Sequence, residues 1–96
     1  MICKTATYEA KPGKLKDVTT SIREFVSYVK ENEPGTVFYR AWQDPKNPVR
    51  FVHVMAFKNV AAEKRHQNSP GCRKFVDALY PNTVNGVAFQ DFTDVH

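Results

Sequence analysis

Three histidines are the side chains of this sequence best suited to move protons near neutral pH, because an unperturbed imidazole titrates at about 6.5. His66 comes at the end of a short predicted helix, just before a break in the chain, and is our candidate catalytic base. The alternative is an exposed helix histidine beside Lys64 and Arg65. His53 lies in an apolar predicted strand, where it must find a hydrogen-bond partner in the core, at an interface or in a cavity. His96, at the terminus, receives no role.

Aromatic side chains on two neighbouring predicted strands are candidates for the apolar wall of a binding site. Tyr39 and Trp42 lie on opposite faces of the second strand, and Phe51 shares a face of the third strand with His53. Aromatic residues at strand positions usually pack in a core or an interface. A ring that lines a pocket would instead stack on an aromatic ligand, and the Tyr39 hydroxyl could orient a phenolic oxygen. We predict Tyr39, Trp42, Phe51 and His53 as substrate-binding residues.

No motif in the sequence is typical of a metal or cofactor site. Cys3 and Cys72 fall in different predicted elements and form no CxxC pair or Cys/His cluster, so we expect two free, partly buried thiols. A glycine-rich dinucleotide loop is also missing. The net charge of +4 comes from 14 basic residues scattered among 10 acidic ones, which is too mild to indicate a nucleic-acid partner. We expect no metal, no cofactor and no nucleic acid.

The first half of the chain shows clear helix and strand patterns. Apolar residues spaced three and four apart over residues 15–29 predict a helix with one buried face. Glu33-Pro34-Gly35 ends this helix, because the residue before a proline disfavours helix and glycine permits a sharp turn. Turn-forming residues 44–48 separate two apolar β segments and predict an antiparallel hairpin.

The second half predicts two helical pieces and a last strand. Asn59 and Ser69 are the predicted N-caps, and Pro70 suits the first position of the second piece. The resulting order, β-α-β-β-α-β, is that of a ferredoxin-like α+β fold with a four-stranded antiparallel sheet. The predicted strands cover residues 2–10, 36–43, 49–57 and 84–92, and the predicted helices cover 14–32, 60–67 and 70–80.

Both faces of the predicted sheet are largely apolar, although the two helical regions can cover only one of them. An identical sheet across a two-fold axis is the simplest cover for the other face, so we expect a homodimer. The length suits one domain, residues 1–96 with a core of about 2–92. No apolar run reaches the roughly 18 residues of a membrane span, and the N-terminus reads as a strand. We expect a cytoplasmic protein with no membrane partner.

The order and spacing of several short motifs resemble the antibiotic biosynthesis monooxygenase family, over about residues 4–92. No single motif is specific, but their succession is. They are Glu33-Pro34-Gly35-Thr36, Tyr39, Asp44-Pro45, Pro48-x-Arg50-Phe51-Val52, Ala61-Ala62, His66, Ser69-Pro70 and Phe75.

The resemblance implies a dimeric α/β barrel with a cavity between the helices and the sheet. It also implies a monooxygenase that oxidises small phenolic, quinol or polyketide-like aromatics with O2, without flavin, haem or metal. The substrate would then be the reductant, and the protein would supply a base, a dry pocket and donors for an oxyanion. His66 matches a histidine that faces the cavity in several members of the family.

Two other functions on the same scaffold remain open. One is an isomerase of a small anionic carbonyl metabolite, with His66 moving the proton and basic residues holding the anion. The other is a non-catalytic, stress-type barrel that only binds a ligand. The basic residues available to the isomerase are Lys64, Arg65, Arg73 and Lys74.

Haem degradation and RNA recognition are disfavoured. Haem-degrading relatives carry an axial histidine where this chain has Val76, a tryptophan where it has His66, and an asparagine in the first strand, which here contains none. An RNA-recognition module shares the element order, but its third strand needs a glycine between basic and aromatic residues. The strand Arg50–Phe57 contains no glycine.

Overall fold

The structure, a computed structural model, describes residues 1–96 and confirms the predicted order of elements. Each predicted boundary lies within one residue of the observed one. Residues 80–82, predicted in part as helix, form a separate 3-10 turn. The elements are β1 (Ile2–Ala10), α1 (Leu15–Asn32), β2 (Thr36–Gln43), β3 (Arg50–Phe57), α2 (Val60–Gln67), α3 (Pro70–Leu79) and β4 (Thr83–Phe92).

The four strands form one antiparallel sheet in the order β2-β3-β1-β4, as the ferredoxin-like prediction requires. The β2–β3 hairpin is closed by Asp44, whose Oδ1 accepts hydrogen bonds from the backbone N–H groups of Lys46 (2.8 Å) and Asn47 (3.2 Å). An aspartate that bonds its own following backbone in this way fixes a tight turn without help from the rest of the fold.

All three helices pack on the same face of the sheet. Val18, Ile22, Phe25 and Val29 of α1 are buried at the predicted spacing. They join Tyr8, Phe51, Phe75 and Leu79, from two strands and α3, in the main core. The close approach of α2 depends on Gly35, since a Cβ at that position would lie 2.7 Å from the Ala62 side chain.

The predicted caps of α2 and α3 are confirmed. Asn59 Oδ1 accepts from the N–H of Ala62 (2.9 Å), and Ser69 Oγ accepts from the N–H of Cys72 (3.0 Å). The Ser69 hydroxyl also donates to the carbonyl of His66 (3.0 Å). The break between the helices is therefore hydrogen-bonded on both sides, and this fixes the backbone of His66.

The opposite face of the sheet carries no helix. Register places Phe38, Trp42, Val52, Val54 and Phe92 on it. Phe38, Trp42 and Phe92 are exposed by 39, 54 and 49%. We call this the open face. No helix of the chain is both long enough and apolar enough to cross a membrane.

Candidate functional site

A cavity of about 410 Å³ lies between the helix-facing side of the sheet and the helices α2 and α3. This volume is within the range of small-molecule sites. The walls are mainly apolar, with a small set of titratable groups among them. The apolar residues include Phe25, Met55, Phe57, Phe75, Leu79 and Phe89. The titratable residues are Lys4, Tyr8, Tyr39, His53, Glu63, His66, Cys72 and Tyr80.

A larger depression of about 570 Å³ lies on the outer side of the molecule, between α1 and α3. Of the predicted site residues, none lines it. Its charged groups, such as Arg23, Glu31 and Lys74, are exposed at the surface. We therefore place the candidate site in the cavity over the sheet.

His66 is buried in the cavity wall and is held by Glu33. Its Nδ1 lies 2.7 Å from Glu33 Oε1, which also accepts a hydrogen bond from the Thr36 hydroxyl (2.8 Å). Because an ionised carboxylate can only accept, Nδ1 carries a hydrogen, and in the neutral form of the ring Nε2 is then the nitrogen with the lone pair. Nε2 makes no hydrogen bond within the chain, and it is not sealed from solvent. Glu33 Oε2 is buried and has no partner in the chain.

Three aromatic rings fix the plane of the His66 imidazole. The ring centroids of Phe57, Phe25 and Tyr39 lie 5.0, 5.4 and 5.6 Å from it. Phe25 in turn stacks on Phe75 at 4.6 Å. Close aromatic packing of this kind restricts an imidazole to one rotamer, so that its two nitrogens keep their separate roles.

His53 lies at the centre of a second polar group, which we call the tyrosine–histidine trio. The Tyr8 hydroxyl is 2.7 Å from Nε2, and the Tyr39 hydroxyl is 2.6 Å from Nδ1. Burial lowers the pKa of His53 to about 4, so the ring is neutral at pH 7. Burial also raises the pKa of Tyr8, and that of Tyr39 well above its ordinary value, so both phenols stay protonated.

Sheet geometry explains how these three side chains meet. The residues directly opposite His53 on the two neighbouring strands are Ala6 and Ala41, which are small. Tyr8 and Tyr39 each lie two positions further along those strands, on the diagonal. Long aromatic side chains reach across that diagonal, and the two alanines leave room for them above the imidazole.

A bulge in β4 lies beside Tyr8. The pairing of β1 with β4 shifts between Thr7 and Glu9, which flank this tyrosine. In the facing segment of β4, Asn85 and Gly86 adopt positive φ angles of 64° and 77°. Glycine and asparagine tolerate that conformation best. Bulges commonly redirect side chains beside binding sites, and this one leaves the Tyr8 hydroxyl free of β4.

Lys4 and Cys72 complete the polar wall. The Lys4 ammonium lies 2.8 Å from Glu63 and 3.5 Å from Asp91. The hydrogen bond to Glu63 is the main reason why the pKa of Lys4 is raised. Burial, and then the charge of Glu33, raise the pKa of the Cys72 thiol, which makes it a weak nucleophile at pH 7.

The structure brings three of the five predicted site residues to the cavity, and two lie elsewhere. His66, His53 and Tyr39 line the cavity. Phe51 is buried behind it and stacks on Tyr8 at 5.5 Å, so it supports the wall without facing a ligand. Trp42 is half exposed at the outer edge of the sheet, away from the cavity. From the sequence, Trp42 could lie on either face of the sheet. The observed register puts it on the open face.

Two polar partners of the site histidines are not predicted from the sequence. Tyr8 has the strand parity of buried Ala6 and Ala10, a signal that was available. The sequence around Glu33 indicates only a helix stop, although Glu33 contacts His66 across 33 positions of the chain. No local pattern predicts such a pairing.

Comparisons with known proteins agree with the fold. The solved structure of an antibiotic biosynthesis monooxygenase superimposes with a TM-score of 0.92 at 22% identity, covering 100% of both chains. A Nitrosomonas europaea protein assigned by name to the same family gives 0.93 at 17%, again over 100% of both chains. One from Caulobacter crescentus CB15 gives 0.91 at 19%, over 99% of this chain and 90% of that one.

The sequence itself identifies the family. No curated protein matches it. The family model described as antibiotic biosynthesis monooxygenase matches residues 1–78, most of the chain and all of the elements that carry His53, His66 and their partners. This chain therefore belongs to the antibiotic biosynthesis monooxygenase family.

Proposed function

We propose that this chain is a monooxygenase that oxidises a small phenolic, quinol or polyketide-like aromatic with O2, with His66 as the catalytic base. One observation carries the proposal: Nδ1 of His66 is bound to the buried Glu33, and Nε2 is left free at the wall of an aromatic cavity. Family membership and the names of the structural neighbours support this class of reaction.

The first step is removal of a phenolic proton by Nε2 of His66. An imidazole that is neutral and already oriented by a carboxylate is a good base near pH 7. Glu33 stabilises the imidazolium that forms, because its carboxylate then faces a positive ring at 2.7 Å. Glu33 is a positioning residue, since His66 lies between it and the cavity.

The substrate anion is the reductant for dioxygen. For an anthrone-like substrate, the ring methylene becomes a carbonyl: its carbon loses two hydrogens and gains one oxygen atom. The second oxygen atom leaves with the two hydrogens as water, so that atoms and electrons balance without another reactant. The imidazolium of His66 returns the proton that it took. Walls built from Phe25, Phe57 and Phe75 keep water away from the anion.

The site residues that the sequence predicted take different parts in this proposal. Tyr39 and His53 line the cavity. Tyr39 is proposed to bind the substrate oxygen and His53 to orient the Tyr39 hydroxyl, as developed below. Phe51 acts indirectly, through its stacking on Tyr8. Trp42 has no contact with the cavity and is proposed to belong to a dimer interface instead.

The protein is proposed to function as a homodimer through the open face. Three large apolar side chains, Phe38, Trp42 and Phe92, are exposed there, and Val52 and Val54 lie beside them. Arg40 is the charged residue of β2 on this face. Exposed apolar surface of this kind usually marks an interface. Burying the face against a second copy would leave the cavity on the opposite side of each sheet.

An oxygen electrode tests the reaction class. Purified, metal-free protein is mixed with a panel of hydroquinones and anthrone-like phenols, and we expect catalysed oxygen uptake with at least one of them. Absence of uptake across the whole panel would contradict the proposal. Turnover of an anionic carbonyl compound under strict anaerobiosis would support the isomerase alternative, but Lys64, Arg65, Arg73 and Lys74 do not line the cavity.

A further inference from the structure

The tyrosine–histidine trio has one polar hydrogen more than its two hydrogen bonds use. Neutral His53 has one N–H, and Tyr8 and Tyr39 have one O–H each, which makes three hydrogens. The two hydrogen bonds to the imidazole use two of them. Neither hydroxyl has another partner in the chain. The trio therefore always has one free hydroxyl hydrogen, on one tyrosine or the other.

The tautomer of His53 decides which tyrosine has the free hydrogen. If Nδ1 carries the hydrogen, it donates to Tyr39, Tyr8 donates to Nε2, and the Tyr39 O–H is free. If Nε2 carries the hydrogen, the directions reverse and the Tyr8 O–H is free. Both tyrosines line the cavity, so in either arrangement the free donor belongs to a cavity residue.

A buried donor without an acceptor costs free energy, and a hydrogen bond to an anion offsets this cost most strongly. Tyr39 is the end of the trio that adjoins the base, since its ring lies 5.6 Å from that of His66. We propose that the trio is an oxyanion-binding element, in which Tyr39 donates its hydroxyl hydrogen to the substrate oxygen that His66 deprotonates. His53 and Tyr8 are positioning residues that fix this direction.

The three donors then point the same way. Tyr8 donates to His53 Nε2, His53 Nδ1–H donates to Tyr39, and Tyr39 donates to the substrate oxygen. Hydrogen bonds in such a chain polarise and strengthen one another. The trio stays uncharged throughout, since burial keeps His53 neutral and both phenols protonated. That the ligand is a phenol rests on the proposed function.

4-Nitrophenol is a suitable probe, because its absorbance reports its own ionisation and it needs no oxygen. We expect the wild-type protein to bind 4-nitrophenolate more tightly than the neutral phenol, and thus to lower the pKa of the bound probe by about one unit. Tyr39→Phe should weaken phenolate binding about tenfold or more and remove this lowering. Tyr8→Phe should have a smaller effect, about threefold, because it removes only the far end of the chain.

Other titratable groups share the cavity and must be separated from the trio. They are His66, the Lys4–Glu63 ion pair, Cys72 and Tyr80. The titration is therefore repeated in the His66→Gln background, where the effect of Tyr39→Phe should persist. Tyr28→Phe removes a tyrosine hydroxyl outside the cavity, on the α1 surface, and should leave binding unchanged. Equal binding by wild type and Tyr39→Phe would overturn the inference.

The tautomer of His53 gives a second readout, which a merely structural role would not move. With 4-nitrophenolate bound, the 15N NMR shifts of His53 should show Nδ1 protonated and Nε2 unprotonated. A bound state with the hydrogen on Nε2, or with both nitrogens protonated, would overturn the inference.

These results are separable from the fate of the proposed function. Phenolate binding that depends on Tyr39, in a protein that never consumes oxygen, would support the oxyanion element and contradict the monooxygenase. Oxygen uptake with kcat and KM unchanged by Tyr39→Phe would support the monooxygenase and contradict the oxyanion element.

Discussion

Glu33 Oε1 lies 2.7 Å from His66 Nδ1, and this contact joins the residue after α1 to the last turn of α2. It resembles the pairing of a carboxylate with a catalytic histidine, in which the acid fixes the tautomer and the ring fixes the direction of the base. The geometry depends on both helix ends, because the turn after Glu33 packs against α2 and Ser69 holds the backbone of His66.

Replacing Glu33 should lower kcat more than it alters KM. In Glu33→Gln the side chain keeps its shape but no longer has a charge to stabilise the imidazolium. We expect kcat for the best substrate of the panel to fall about tenfold or more, by steady-state oxygen uptake, with KM changed less than threefold. Glu31→Gln, an exposed neighbour on α1, is the matched control and should keep full activity. An unchanged kcat in Glu33→Gln would show that the carboxylate does not assist His66.

The pH dependence of stability should report His53. Its pKa is about 4 in the folded protein and about 6.5 when unfolded, so only the unfolded chain gains this proton between those values. The contribution of neutral His53 to the free energy of unfolding is therefore fully present above pH 6.5. It is lost as the pH falls towards 4, and the loss is about 3 kcal/mol. Urea unfolding of wild type and His53→Gln at pH 7 and pH 4.5 isolates the contribution. An equal loss of unfolding free energy in wild type and in His53→Gln between these two pH values would contradict this role of His53.

Gly35 should be needed for the approach of α2. In Gly35→Ala the new Cβ would lie 2.7 Å from the Ala62 side chain, so the turn or the helix must move. We expect a loss of about 1–3 kcal/mol in the free energy of unfolding, measured in urea. In the Ala62→Gly background the same substitution should cost clearly less. Equal costs in both backgrounds would mean that the two residues are not in contact.

The open face should hold two copies together. Sedimentation at micromolar concentration should give a dimer for the wild type. Val54→Lys, at the centre of that face, should give a folded monomer by circular dichroism, because it would bury an unpaired charge. Val60→Lys, exposed on α2, should remain dimeric. A wild-type protein that sediments as a monomer at this concentration would contradict the proposal that the open face is a dimer interface.

The sequence predicts the elements well because their signals are local. The spacing of Val18, Ile22, Phe25 and Val29 identifies the buried face of α1, and Asn59 and Ser69 cap their helices through bonds to residues three positions away. Such patterns need no knowledge of the tertiary structure.

The site is harder to predict because its contacts are long-range. The bond from His66 to Glu33 spans 33 positions and that from His53 to Tyr8 spans 45. Strand alternation fixed the parity of Phe51 relative to His53. It could not tell that Phe51 would lie behind Tyr8, or that Trp42 would point to the open face. Those outcomes depend on the register of three strands at once.

The role of His66 as base is the central claim, and oxygen uptake by His66→Gln tests it most directly. Glutamine keeps most of the side-chain volume and its hydrogen bond to Glu33, but it cannot accept a proton at neutral pH. With the best phenolic substrate at pH 7, we expect kcat to fall about a hundredfold or more relative to wild type, while the thermal midpoint changes little. A folded His66→Gln protein that consumes oxygen at the wild-type rate would contradict the account.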